Sequence, residues 1–239
     1  MKKILLGLIL AGGMASAATI DLYSTGYTAG GGSPVLPLFQ DGNWTLLSGP
    51  PGGSYGYAPY VTFGSALSQF PFSSGAWLKD GSSGSTSEWV SPKAIEQSAD
   101  PNSSTTPYVY QETFDLTGLN WATVVITGEW SADNYGDIVV NGTEVTTGVD
   151  GSIPNAAGEF KSFTSFTLNS ANAGFLPGLN TIQFDVFNNS SGSPDVTGIN
   201  VDILSATANP TPEPATFRTP DIPPKSLGNS TYLRTWVRT

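Results

Sequence analysis

Trp44, Tyr55, Tyr57, Tyr60, Trp77 and Trp89 stand interleaved with Gly, Ser and Asn. Flat aromatic faces beside side-chain amides and carboxylates suit the alternating CH and OH surfaces of a sugar. Rigid rings flanked by adaptable polar residues make good recognition surfaces. Trp44, Tyr55, Tyr57 and Trp77 are therefore the candidate ligand-binding residues. The competing fate of any Trp is to plug a core, and Trp89, Trp121 and Trp130 are assigned to that role.

A second chemistry is written in Asp133-Asn134-Tyr135-Gly136-Asp137. Ca²⁺ takes six to eight oxygens from carboxylates and carbonyls, so Asp133, Asn134 and Asp137 are candidate metal ligands. The spacing matches no EF-hand loop, and Asp-Asn-x-Gly is equally an ordinary turn. Catalysis has less to work with. The chain has no His and no Cys, which removes Ser-His-Asp triads, thiol nucleophiles and Cys/His zinc sites. A glycosidase needs only two carboxylates, but no acid stands in a catalytic motif. The chain is read as non-catalytic, with a glycoside-active enzyme as the weaker alternative.

The charge narrows the partners. The net charge is −10 and the sequence pI about 4.2, which argues against nucleic acid or an anionic membrane. Residues 18–205 hold three lysines, no Arg and 17 acidic residues. A balance of −14 repels acidic polysaccharides unless Ca²⁺ bridges them. The partners expected are a neutral extracellular polysaccharide or surface proteins.

These residues need a scaffold, and the body of the chain supplies period-2 alternation. Tyr108, Tyr110, Phe114 and Leu116 share one face of a strand, and Glu112 interrupts it, which predicts a bulge or strand end there. Trp121–Trp130 repeats the pattern with Val124, Ile126, Gly128 and Trp130 inward. Asn141-Gly142 between β-branched runs predicts a tight hairpin. Phe163–Leu168, Thr181–Val186 and Ile199–Ile203 follow. Residues 26–105 are looser, with early strands expected around Leu22, Trp44–Leu47, Tyr60–Phe63 and Glu88–Val90. No window carries a helical stripe. About nine to eleven short strands without helices imply an all-β, antiparallel β-sandwich, with a jelly-roll arrangement favoured.

The ends differ in kind. Residues 1–17 read as a signal peptide: Lys2 and Lys3, an apolar stretch, then Ala15-Ser16-Ala17 before Ala18. Residues 206–217 form a Pro-rich linker. Residues 218–239 carry every Arg of the chain, lack periodicity and are expected to be a disordered basic tail.

Asn209–Phe217, with the triplet Pro212-Glu213-Pro214, resembles the start of the PEP-CTERM sorting signal of exopolysaccharide-producing Gram-negative bacteria. The resemblance implies export through the secretion machinery, handling by a dedicated sorting protease, and residence at the cell surface or in the biofilm matrix. The family places a transmembrane helix and an Arg cluster after the triplet. Here Arg218-Thr219-Pro220-Asp221-Ile222-Pro223-Pro224 follows, which would break a helix. A frameshift after Phe217 would account for that, and the chain as written is expected to carry no membrane anchor. Trp89–Pro92, Tyr108–Gly118, Ile126–Asn134, Ile138–Gly142 and Phe175–Asn188 also resemble a β-sandwich domain that recurs in PEP-CTERM proteins and is similar to the galactose-binding-like superfamily. What this implies is a fold and, by analogy alone, non-catalytic association with exopolysaccharide. The alternative is a structural or adhesive surface protein without a sugar site.

Overall fold

The computed structural model describes residues 16–62, 71–72, 75–80, 84–96, 98–103, 105–145, 152–154, 159–189 and 195–212. Residues 1–15 of the expected signal peptide, Glu213 and Pro214 of the triplet, and residues 218–239 of the expected tail lie outside the described residues. Eleven strands and three short 3-10 turns are described, with no α-helix among them. The strands are β1 (Ala18–Thr19), β2 (Thr45–Ser48), β3 (Tyr60–Val61), β4 (Val90–Ser91), β5 (Tyr108–Asp115) and β6 (Val125–Asp133). They continue as β7 (Tyr135–Val140), β8 (Thr143–Glu144), β9 (Thr164–Asn169), β10 (Leu179–Phe187) and β11 (Gly198–Ala208).

Two antiparallel sheets result. The front sheet runs β2-β5-β10-β7-β8 and the back sheet β3-β4-β11-β6-β9, with β1 pairing β11 as well. From β4 to β11 the chain changes sheet at every step except the β7–β8 hairpin, which is the winding of a jelly roll. That hairpin turns where the sequence predicts. Val140 pairs Thr143, while Asn141 and Gly142 take φ of 51° and 77°, the left-handed values a two-residue turn requires.

Alternation decides the core. Tyr110, Phe114, Ile126, Trp130, Ile138, Phe166, Ile182, Phe184, Ile199 and Val201 all point between the sheets and are buried. Each is worth about 1.5–3 kcal/mol of apolar burial. Phe184 lies at the centre, its ring 5.6 Å from Trp44, 4.8 Å from Trp130 and 5.8 Å from Phe166. It therefore ties the front sheet to the back sheet and to the loop before β2.

Glu112 departs from expectation. It makes no bulge: it stays in register opposite Ile182 and is only 3% exposed. Its carboxylate accepts the Tyr23 N–H at 3.1 and 3.2 Å, so a backbone donor of the N-terminal segment lets the acid sit inside. The irregularities fall instead between Leu46 and Ser48 and between Ile203 and Ser205. Trp121 is also corrected. It opens the 3-10 turn Trp121–Thr123 ahead of β6 and is 43% exposed, because the chain has not yet entered the strand whose pattern would bury it.

Gly136 shows how closely the sheets pack. A Cβ at this position would overlap the Asp185 carbonyl oxygen and press on the Trp130 ring. Backbone cannot yield as a side chain can, so Gly136→Ala is expected to cost about 3 kcal/mol. Urea unfolding measures this; a loss below about 1 kcal/mol would contradict the packing described.

Candidate functional site

The upper end of the sandwich is where β5 begins, with Tyr108 opposite Val186, and where Asp133 and Tyr135 pass from the back sheet to the front. The lower end is where Asp115 pairs Leu179 and Val125 pairs Thr207. Every candidate residue can be placed on this frame.

Trp44 and Trp77 are core residues, not sugar platforms. Trp44 is buried beside Phe184, and its indole N–H donates to the Tyr23 carbonyl at 3.1 Å. Trp77 stacks on Trp89 at 4.2 Å, meets the Phe72 edge, and donates its N–H to Asp133 Oδ2 at 2.6 Å. Each ring can be enclosed because its one polar atom finds an internal acceptor. Phe72, Trp77, Trp89 and Val196 form a small second core. It packs against Gly198 of β11, so a loop covers the back sheet at this end.

The Asp133–Asp137 segment does not converge on one point. Asp133 is buried beneath Trp77. Asn134 Oδ1 accepts the Asn189 N–H at 2.7 Å. Asp137 sits on the front sheet opposite Asp185. The passage between sheets turns these side chains apart, and the three residues do not fit a Ca²⁺ ion. Among the described residues no group of three or more acidic side chains is placed to hold a metal.

Tyr55 and Tyr57 do come together. With Tyr108 they line a pocket of about 310 Å³ at the upper end, beside Gly52, Gly53, Pro92, Lys93, Ser98, Asp100 and Pro101. All three hydroxyls are fixed as donors to proline carbonyls: Tyr55 to Pro50 at 2.6 Å, Tyr57 to Pro92 at 2.9 Å and Tyr108 to Pro101 at 2.8 Å. The rings are thereby oriented in advance. The phenol oxygens keep their lone pairs for hydroxyl donors of a ligand. Burial pushes all three phenols up in pKa, so they stay neutral. Tyr108, Lys93 and Asp100 were not singled out from the sequence. Tyr108 reads there only as an inward strand residue, and the loop pairing that brings Lys93 to Asp100 leaves no periodic signal.

The outer face of the front sheet is the other polar–aromatic surface. Tyr135 and Phe187 stack in parallel at 5.0 Å. Asp137 and Asp185 follow as cross-strand neighbours, then Gln183 donates to Gln111 at 2.8 Å. Burial first, then Asp137 and Glu144, raise the pKa of Asp185 to about 6. These are the out-facing residues of alternating strands, a signal present in the sequence. The weaker reading of a glycoside-active enzyme would draw on this pair of acids. They lie on a sheet face rather than in a cleft that excludes water.

No family model and no curated protein matches the chain. Among solved structures it is similar to a family 35 carbohydrate binding module from an environmental isolate, at 15% identity and a TM-score of 0.23. That match covers 49% of this chain and 77% of the module.

Burial raises Asp133 to about 7, despite the Trp77 hydrogen bond, and raises Glu88 likewise to about 7. Both bind a proton more tightly folded than unfolded. Their contribution is complete below the ordinary carboxylate pKa and is lost as pH rises through about 7. The melting temperature at fixed ionic strength is expected to be higher at pH 5 than at pH 8. Asp133→Asn, which keeps an acceptor for Trp77, should narrow the gap. Equal or greater stability at pH 8 would contradict the assignment.

Proposed function

We propose that this protein is an exported surface or matrix protein of the PEP-CTERM type that associates, without catalysis, with neutral extracellular polysaccharide through its upper-end pocket. The observation that carries this reading is the convergence of Tyr55, Tyr57 and Tyr108 on one cavity, each hydroxyl pre-set by a proline carbonyl. Aromatic walls supply flat apolar contact, and phenol, carboxylate and carbonyl oxygens supply acceptors for sugar hydroxyls. The acidic body favours a neutral glycan over an anionic one.

The placement of the chain ends supports the same reading. Ala18 pairs Ala208, Pro210 bridges Leu119, and Thr211 donates to the Gly118 carbonyl at 2.9 Å. Both flanking segments thus leave from the lower end. The eight residues of β5 separate it from the pocket by about 27 Å. A linker carrying Pro212 away from the lower end directs the pocket away from whatever holds the linker.

The adhesive alternative has its own observation. Leu36, Leu38 and Phe39 are exposed at 71%, 39% and 63%, an apolar loop suited to a protein partner. The two readings separate by mutation. Tyr55→Ala is expected to weaken retention on neutral polysaccharide by about tenfold, the 1.4 kcal/mol scale of one lost aromatic contact. Phe39→Asp should leave retention unchanged. Affinity electrophoresis measures both; equal retention of wild type and Tyr55→Ala would defeat the pocket assignment.

A further inference from the structure

The wall of the upper pocket contains an arrangement unlike an ordinary surface ion pair. The Lys93 ammonium lies 2.5 Å from the Ser98 carbonyl, 3.2 Å from Ser98 Oγ and 3.3 Å from the Ala99 carbonyl. It is also 2.8 Å from Asp100 Oδ1 and 3.6 Å from Glu96 Oε2. Five oxygens from one short loop therefore face a single positive charge. An ammonium has only three protons to give. Carboxylates, carbonyls and a hydroxyl drawn from one loop are instead the ligand set of a hard metal cation.

The Glu96 side chain is fully buried, and its Oε2, which no hydrogen bond satisfies, lies 3.6 Å from the ammonium; burial and Asp100 raise its pKa, and Lys93 lowers it. The cage is held from outside as well: Asp100 Oδ2 accepts the Thr197 N–H at 3.1 Å, Lys93 N–H donates to Glu96 Oε1, and Ser91 Oγ donates to the Lys93 carbonyl. The two carboxyl groups are thus held by contacts other than those to the ammonium.

We infer that the oxygens of Glu96, Ser98, Ala99 and Asp100 form a cation site of hard-metal type that the chain fills with its own Lys93 ammonium, so that one wall of the upper pocket is set without a metal ion. A tethered ammonium replaces a divalent ion, and the cage needs no free cation. This stands whether or not the pocket takes a glycan.

The test uses the full chain, with Ca²⁺ as the probe at fixed ionic strength. Wild-type melting should be unmoved by EDTA or by millimolar CaCl₂. Lys93→Ala should melt at least about 5 °C lower, as expected when the buried Asp100 carboxylate loses its partner. CaCl₂ should then recover at least half of that loss, and MgCl₂ much less, because Mg²⁺ demands a smaller, more regular shell. Lys93→Ala melting like the wild type, a loss that Ca²⁺ does not repair, or a wild type stabilised by Ca²⁺ would each overturn the inference. If Lys93→Ala does not fold, the wild type decides by NMR. The Lys93 ammonium protons should be protected and visible where those of exposed Lys79 and Lys161 exchange; an equally fast Lys93 exchange would overturn it.

Discussion

A buried carboxylate that accepts backbone N–H groups from a loop is the interaction on which the irregular half of this domain depends. With no Cys in the chain, disulfides are not available to staple the long loops. Asp41 accepts from Gly26, Asn43 and Trp44 and so closes the 26–44 loop. Glu112 holds the N-terminal segment through the Tyr23 N–H, the half-buried Asp80 accepts the Trp89 N–H, and Asp202 accepts the Ser24 hydroxyl and the Thr86 N–H. A hydrogen bond is worth about 0.5–1.5 kcal/mol net, and a buried donor left unpaired costs about 1–3 kcal/mol. Loops without hydrophobic periodicity thereby acquire fixed positions. The cost appears in the raised pKa values of Asp41, Glu112 and Asp133, for which burial is the leading cause.

That division explains what was legible in the sequence. From Tyr108 onward the strands alternate, and the observed β5, β9 and β10 follow the expected ones closely, as does the Asn141-Gly142 turn, while β6 starts four residues later than expected and β11 runs on to Ala208. The pattern reports which face is buried, so it also placed Trp130 correctly. Before Tyr108 the pattern fades because Thr45–Ser48, Tyr60–Val61 and Val90–Ser91 are too short to show a period. There Trp44 and Trp77, flanked by polar residues, looked exposed. Their burial rests on acceptors at Tyr23 and Asp133 that are distant in sequence.

The upper pocket is non-local in the same way. Its walls come from residues 52–55, Tyr57, residues 92–93, 98–101 and Tyr108, and the jelly-roll winding brings them together. Tyr55 and Tyr57 were legible from their Gly and Ser neighbours. Lys93 and Asp100 were not, since a lone lysine near an acid is usually a solvated pair of little worth. Burial of the acids turns that pair into a fixed part of the wall. Oriented rings and a Lys93–Asp100 wall thus lie at the pole opposite Ala18 and Thr211.

The most direct measurement is NMR titration of the isotopically labelled full chain with neutral oligosaccharides. Shift changes gathered at Tyr55, Tyr57, Tyr108 and the 98–101 segment, with the lower end and the Leu36–Phe39 loop silent, are the expected result. Changes confined to the outer face of the front sheet or to the apolar loop, or no change with any neutral glycan, would contradict a sugar site in the pocket.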